Sequence, residues 1–295
     1  MVGVMHETGG PGADGAWAAR AQEVAGARRA AWELLPDGPP ALDDDALAQP
    51  VRTAAGEPAQ LRVLRPRPGD GHDHLALRQW NGRGAVRLLR ADPAAGVLLV
   101  ERTRDRDLGS LRGDEACRVL GELVAGLARP PRPPFPPLSA LAAEWSARLE
   151  DGTDLDARFP RRFRLQAATA LRRLRRDPLD TALLPGDLVP AAVRAADRVP
   201  WLAVRARPRL ATVEWALVPG LWPPGDAPRG PRPGEPADRA EALGLAAGAD
   251  PERVRAWAVV RVAVAAAEQA GRPGEEPVRE LGRLVRLAKA VQPGA

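Results

Sequence analysis

Residues 183–219 decide how this chain is interpreted. They begin Leu-Leu-Pro-Gly-Asp-Leu-Val-Pro-Ala-Ala-Val at Leu183–Val193 and continue Pro-Trp-Leu-Ala-Val-Arg-Ala-Arg-Pro at Pro200–Pro208. A third segment, Ala-Thr-Val-Glu-Trp-Ala-Leu-Val-Pro, follows at Ala211–Pro219. The pattern predicts a short apolar strand, a tight turn that carries Asp187, a second apolar strand and a helix.

In phosphotransferases of the protein-kinase type, this layout holds the catalytic aspartate and the magnesium ligands. The stretch resembles the streptomycin and hydroxyurea phosphotransferases of the aminoglycoside phosphotransferase superfamily, whose pattern is L-H-G-D-L-H-P-G-N-V-L followed by P-W-L-A-I-D-P-K-P. The resemblance implies that Asp187 stands at the position of the catalytic base. It also implies that the family's histidine is Pro185, its magnesium-binding asparagine is Ala192 and its magnesium-binding aspartate is Arg205. Three further family positions, a Gly-Asp pair and a later aspartate, have become Ala211, Thr212 and Ala216.

Three more segments carry the same resemblance, which covers about Trp32 to Arg261. Trp80–Leu89 matches W-D-G-R-G-A-V-R-L-L, a structural connection in the family, and its Asn-Gly-Arg-Gly lies before a strand, where a nucleotide loop does not fit. Pro58–Val63 matches P-A-V-L-K-V, and His72–Trp80 matches the family's helix pattern H-E-A-L-A-L-R-L-W. Leu98–Arg102 matches L-L-L-E-R, the strand that enters the hinge.

These matches imply a set of cofactor-binding candidates. Arg62 takes the place of the lysine that contacts the nucleotide phosphates, and Asp73 takes the place of its acidic partner on the inserted helix. An ordinary ion pair between a strand and a helix is the alternative interpretation of these two residues. Glu101 and Arg102 correspond to the hinge whose backbone binds adenine, with a plain edge strand as the alternative.

The phosphate-covering loop of the family corresponds to Ala41–Leu47, and its composition here is unusual. Asp43, Asp44 and Asp45 would repel a triphosphate unless a cation neutralised them. We therefore interpret the segment as a solvated acidic turn or a helix cap.

Two functions follow from the resemblance. In the first, the chain is a kinase-like family member that is catalytically impaired or inactive, because Ala192 and Arg205 replace magnesium ligands; we expect no Mg²⁺ site, and ATP binding stays open. In the second, it is an active ATP-dependent kinase for a hydroxyl of an aminoglycoside-like substrate, with Asp187 as base. A small molecule in the interlobe cleft is compatible with both. Other carboxylates could have taken over metal binding: Asp197, Glu214 and Asp226.

The order of predicted elements indicates an α+β, protein-kinase-like fold with two lobes. We expect a disordered N-terminus at residues 1–15, a kinase-like N-lobe at 16–102 and a helical C-lobe with the degenerate catalytic loop at 103–295. The N-lobe should be a small antiparallel sheet with one inserted helix. Its predicted elements are a helix at Ala16–Leu35, strands at Gln49–Thr53, Gln60–Arg65, Arg83–Leu89 and Gly96–Glu101, a further strand near Pro40–Leu47, and a helix at Asp70–Trp80. The C-lobe helices are predicted at Gly113–Ala128, Ser139–Leu149, Pro160–Arg176, Ala237–Leu245, Pro251–Ala270 and Glu275–Val291.

Composition narrows the classes of function. The chain has 295 residues, a net charge of +5 and one cysteine, Cys117, which suits a cytoplasmic protein without disulfides. No apolar run is long enough for a membrane span, and the sparse aromatics argue against nucleic acid, although the Arg-rich segment Arg161–Arg176 would suit an acidic partner. Three histidines make a zinc site or a Ser–His mechanism improbable.

Overall fold

The computed structural model describes residues 11–43, 45–66, 71–151, 155, 158–222, 234–270, 272 and 274–292. The chain divides into two compact units. The sheet unit contains the described residues up to Arg106 together with Arg194–Arg207. The helical unit contains Asp107–Val193 and the described residues from Pro208 onward. This division differs from the predicted one. The predicted boundary between the lobes falls between residues 102 and 103, so that Arg194–Arg207 belongs to the helical lobe.

The sheet unit is built on an antiparallel sheet whose main order is β1-β3-β4-β6-β5, with β2 paired to β3. The predicted antiparallel sheet with one inserted helix is therefore observed. The elements are α1 (Pro11–Ala31), β1 (Leu35–Pro36), β2 (Ala41–Leu42), β3 (Ala46–Arg52), β4 (Pro58–Leu64), α2 (Asp73–Trp80), β5 (Leu88–Asp92) and β6 (Val97–Glu101).

Helix α1 and the inner face of the sheet share one apolar core. The strand residues of this core alternate along each strand, because successive side chains of a strand point to opposite faces. Ala21 and Ala25 of α1 meet the strand residues there, and small side chains allow the helix to approach closely. The strand members of this core are Leu47, Val51, Ala59, Leu61, Val63, Val97 and Leu99.

The N-terminal predictions need two corrections. Residues 11–15, predicted to be disordered, belong to α1, whereas residues 1–10 lie outside the described part of the chain. Helix α1 also ends at Ala31 instead of Leu35, and the two short strands β1 and β2 follow. The inserted helix therefore comes after the fourth strand and not the third.

The strand predicted at Arg83–Leu89 is wrong over most of its length. Helix α2 ends at Trp80, its C-cap Asn81 has a left-handed φ of 45°, and Gly82 and Gly84 have φ values of 74° and 75°. Three of the four residues 81–84 have a left-handed backbone, which directs the chain away from an extended strand. Strand β5 begins only at Leu88, although Ala85 makes an isolated bridge to Ala203.

The helical unit has a long helix at its centre, and more than half of its residues are buried. Helix α8 has the predicted bounds, Pro251–Ala270, and packs against α4, α5, α6, α7 and α9. Its apolar residues face inward around most of its circumference, as expected for a helix enclosed by others. The elements are α3 (Gly113–Leu127), α4 (Leu138–Asp151), α5 (Arg161–Leu174), β7 (Ala182–Pro185), β10 (Pro208–Ala211), α6 (Val213–Leu217), α7 (Glu235–Ala247) and α9 (Glu275–Ala290).

The central stretch has the predicted layout. Strand β7 pairs with β10 in an antiparallel register, and a turn with one 3-10 segment follows β7. A hairpin of β8 (Val193–Ala195) and β9 (Trp201–Ala203) lies between them in sequence. Helix α6 begins at its N-cap Thr212, whose hydroxyl accepts the amide of Trp215 at 3.4 Å. Among the described residues, no helix combines the length and apolarity needed to cross a membrane.

Helices α3 and α7 approach each other closely at Gly121. A Cβ at this position would lie 2.7 Å from the Ala246 Cβ and 2.7 Å from the Leu243 carbonyl oxygen. Gly126 lies in the same helix and is exposed, and nothing lies within 4 Å of the corresponding point. The same substitution at the two glycines therefore separates packing from helix propensity.

We predict that Gly121→Ala lowers the free energy of unfolding by about 1–3 kcal/mol, because overpacking outweighs the better helix propensity of alanine. Gly126→Ala should leave stability unchanged or raise it by up to about 1 kcal/mol. Urea denaturation followed by far-UV circular dichroism measures both. Equal effects of the two substitutions would contradict the close packing of α3 on α7.

Candidate functional site

The charged site of the sheet unit is assembled from four places in the sequence. Strand β4 supplies Arg62, and the N-terminus of α2 supplies Asp73. The turn between β2 and β3 supplies Asp43 and Asp45, and the segment after β9 supplies residues 204–207. The structure thus brings together two of the four predicted cofactor-binding residues, Arg62 and Asp73, with Arg205.

Asp45 is the centre of this site. Its Oδ2 pairs with the Nε of Arg205 and its Oδ1 pairs with the Nη2 of Arg207, while only 7% of its side chain is exposed. The prediction of a solvated acidic turn is therefore wrong for Asp45, and Asp44 lies outside the described residues. Asp43 fits the prediction better, because its side chain is 46% exposed and its Oδ1 accepts the amide of Asp45 at 2.7 Å.

Arg62 is buried and held by the protein itself. Its Nη1 donates to the Val204 carbonyl, and its Nη2 lies 3.6 Å from the Asp43 Oδ2. Burial lowers the pKa of the Arg62 guanidinium, and the nearby Asp43 carboxylate acts in the opposite direction. Within the described residues, Asp43 and not the predicted Asp73 is the ion-pair partner of Arg62.

Asp73 is bonded to the backbone of the segment after β9. Its Oδ1 accepts the main-chain N–H of Arg207 at 3.1 Å. Burial raises the pKa of the Asp73 carboxyl, and the charge of Arg62 partly offsets this increase. Asp73 therefore connects α2 to the backbone of residue 207. Its charge also interacts electrostatically with that of Arg62.

Arg207 has a left-handed backbone, with φ of 37°. This conformation costs a non-glycine residue about 1–3 kcal/mol, and such a residue adopts it only where surrounding contacts hold it in place. Here the N–H is bound by Asp73 and the side chain by Asp45. The two aspartates together fix the conformation of residue 207.

The side chains at the two positions that the resemblance assigns to magnesium ligands do not fit a divalent cation. Mg²⁺ takes oxygen ligands. Arg205 offers a guanidinium that is already paired with Asp45, and Ala192 offers a buried methyl group. Neither side chain has an oxygen.

The two predicted hinge residues have structural partners. The Glu101 carboxylate accepts two bonds from Arg198, at 2.7 and 2.8 Å, and one from the Arg87 amide at 2.6 Å. Arg102 donates to Asp37 and to the carbonyls of Val51 and Ala59. These side chains brace neighbouring strands and are not among the residues around Asp45.

The helical unit holds the remaining candidate, Asp187, in a buried position after β7. The Asp187 Oδ1 lies 3.8 Å from the Nη2 of Arg261, which comes from the central helix α8. The Arg261 guanidinium also lies over the Trp215 ring, 5.2 Å from its centroid, and burial lowers its pKa. Sequence reasoning missed Arg261, although an arginine within the apolar run Ala256–Ala267 is a signal for a buried counter-ion.

The two alternative carboxylates within the described residues, Asp197 and Glu214, belong to different units. Asp197 is 81% exposed and pairs with Arg104 at 2.6 Å, and Glu214 lies in the first turn of α6. Asp226 lies outside the described residues. In the part of the chain that the structure describes, no three side chains of His, Cys, Asp or Glu come together as a metal site would need.

We predict that Arg261→Met lowers the free energy of unfolding by about 3–5 kcal/mol, because it leaves the buried Asp187 carboxylate without its cation. Arg253→Met is the matched control on the same helix, since Arg253 pairs with the exposed Asp177, and it should cost about 1 kcal/mol or less. Urea denaturation compares the two variants. Equal costs would contradict a buried charge pair at Asp187.

Comparison with known proteins agrees with this architecture. A family model described as aminoglycoside/hydroxyurea antibiotic resistance kinase matches residues 31–272. A hydroxyurea phosphotransferase from Kitasatospora aureofaciens is 34% identical over 254 residues, which cover 78% of this chain and 68% of that protein. A streptomycin 6-kinase from Streptomyces glaucescens is 34% identical over 200 residues, and the match spans 64% of this chain and 63% of that enzyme.

Solved structures show the same fold at low sequence identity. A choline/ethanolamine kinase family protein from Mesorhizobium loti has a TM-score of 0.56 at 16% identity, covering 91% of this chain and 94% of its own. An amicoumacin kinase in complex with AMP-PNP and Ca²⁺ also has a TM-score of 0.56, at 13% identity, with 92% and 94% covered. The chain therefore belongs to the aminoglycoside/hydroxyurea antibiotic resistance kinase family and has its α+β, protein-kinase-like fold.

Proposed function

We propose that this family member transfers the γ-phosphoryl group of ATP poorly or not at all. The observation that carries the proposal is the pairing of Arg205 with Asp45. Arg205 occupies the sequence position of a magnesium-binding aspartate, and its guanidinium is committed to a carboxylate of the same chain. A pseudokinase-like role as a binding module follows.

The chemistry of phosphoryl transfer supports this conclusion. In this fold, oxygen-bearing side chains of the protein would hold Mg²⁺, and the ion would neutralise the charge that develops on the phosphates. A guanidinium can supply part of that charge, but it has no oxygen with which to hold the ion. Ala192 removes the other protein ligand that the family pattern would provide.

The surroundings of Asp187 support it as well. A general base must accept a proton from the substrate hydroxyl, which has to reach a carboxylate oxygen. The Arg261 guanidinium lies 3.8 Å from the Asp187 Oδ1. An acceptor hydroxyl would therefore compete with an arginine of the same chain for this carboxylate.

The second candidate function is an active ATP-dependent kinase that acts on a small hydroxylated molecule. It is favoured by the retained Asp187 and by the named activities of the relatives, which are a hydroxyurea phosphotransferase and two streptomycin 6-kinases. In that case Asp187 would orient the acceptor hydroxyl, and Arg62 would contact the phosphates.

Phosphotransfer assays distinguish the two functions. With ATP, Mg²⁺ and a panel of acceptors that includes streptomycin and hydroxyurea, we expect no turnover above background, and no change in Asp187→Asn. We also expect that Mg²⁺ adds nothing to any thermal stabilisation by ATP, because a ligand stabilises the folded state only as far as it binds there. Mg²⁺-dependent turnover that disappears in Asp187→Asn would overturn the proposal and establish the second function.

A further inference from the structure

The residues around Asp45 form a site with a surplus of positive charge. A cavity of about 30 Å³ lies among them, with room for one or two water molecules. Six charged residues contribute to its lining, four arginines and two aspartates: Arg62, Arg65, Arg205, Arg207, Asp45 and Asp73. Arginine is the side chain best suited to oxyanions, because its planar fork matches two oxygens at once. The arginines that line this cavity therefore favour the binding of an anion.

Asp45 already fills the role of that anion. Each of its carboxylate oxygens is paired with a different guanidinium, Oδ2 with Arg205 and Oδ1 with Arg207. A phosphate group would bridge two arginines in the same way. The chain thus supplies from within the ligand that such a pair of arginines would otherwise take from solution.

The backbone holds Asp45 firmly in this position. The Asp45 amide donates to the Asp43 Oδ1 at 2.7 Å, and its carbonyl accepts the Arg65 amide at 2.7 Å. The Ala46 amide donates to the same Asp43 oxygen at 2.8 Å. The turn is fixed on both sides of Asp45, so its carboxylate is pre-organised toward the two arginines.

We propose that Asp45 is an internal ligand that occupies an anion site formed by Arg205 and Arg207. In the wild-type chain it excludes phosphate-type oxyanions. When its charge is removed, the site binds pyrophosphate or the phosphate groups of a nucleotide without any divalent cation. This inference rests on the proposed function, because it takes Arg205 as a residue that no longer serves metal binding.

The test compares wild type with Asp45→Asn in EDTA, using isothermal titration calorimetry with inorganic pyrophosphate and, separately, with ATP. A site that its own carboxylate occupies at least nine-tenths of the time binds at least about tenfold more weakly than the open site. We therefore expect at least about tenfold tighter pyrophosphate binding in Asp45→Asn. Arg205→Gln added to Asp45→Asn should abolish the gain.

Asp197→Asn is the matched control, since it removes the same charge from an exposed ion pair in the sheet unit, and it should leave pyrophosphate binding as in wild type. Equal affinities of wild type and Asp45→Asn would overturn the proposal. So would binding of ATP without binding of pyrophosphate by Asp45→Asn, because the affinity would then come from the nucleoside.

If Asp45→Asn alone does not fold, Asp45→Asn combined with Arg207→Gln removes one charge of each sign and leaves Arg205 in place. This variant should bind pyrophosphate more tightly than Arg207→Gln alone, and equal binding would contradict the proposal. Because all these titrations contain no metal and measure no turnover, their failure is distinguishable from a failure of the proposed function. That failure would appear as Mg²⁺-dependent phosphotransfer by the wild-type chain.

Discussion

The carboxylate of Asp45 lies between the guanidinium groups of Arg205 and Arg207 and is almost entirely withdrawn from solvent. A buried charge is tolerated only when it is paired with an opposite charge, because burying an isolated charge costs several kcal/mol. The pairing ties the turn before β3 to the segment after β9. With Asp73, it also holds the left-handed backbone of residue 207. Charges of the protein itself therefore stabilise this part of the sheet unit.

The same principle applies in the helical unit. The resemblance assigns Asp187 to the position of the catalytic base, and α8 provides it with Arg261 as a buried counter-ion. At both places a carboxylate of this fold is matched with an arginine of the chain. At each place the buried carboxylate is therefore stabilised by a cation of the protein itself.

Much of the fold could be predicted because the periodic spacing of apolar residues identifies the longer helices and strands. Helix α8 has its predicted bounds, and β4 and β6 differ from prediction by a residue or two. The strands at Leu35–Pro36 and Ala41–Leu42 are too short to show a period, and the residues after α2 turn on left-handed backbone. The resemblance to the family pattern singled out Arg205, as the residue at the position of a magnesium-binding aspartate. Its partner Asp45 was not singled out, because an aspartate among three in a row looks solvated until tertiary structure buries it.

A double-mutant cycle on Asp45 and Arg205 tests the central claim most directly. The cycle compares the unfolding free energies of wild type, Asp45→Asn, Arg205→Gln and the double variant in urea without metal. The account predicts a coupling energy of about 1–3 kcal/mol, as expected for groups in direct contact. Costs of the two single substitutions that add to within about 0.5 kcal/mol in the double variant would contradict it.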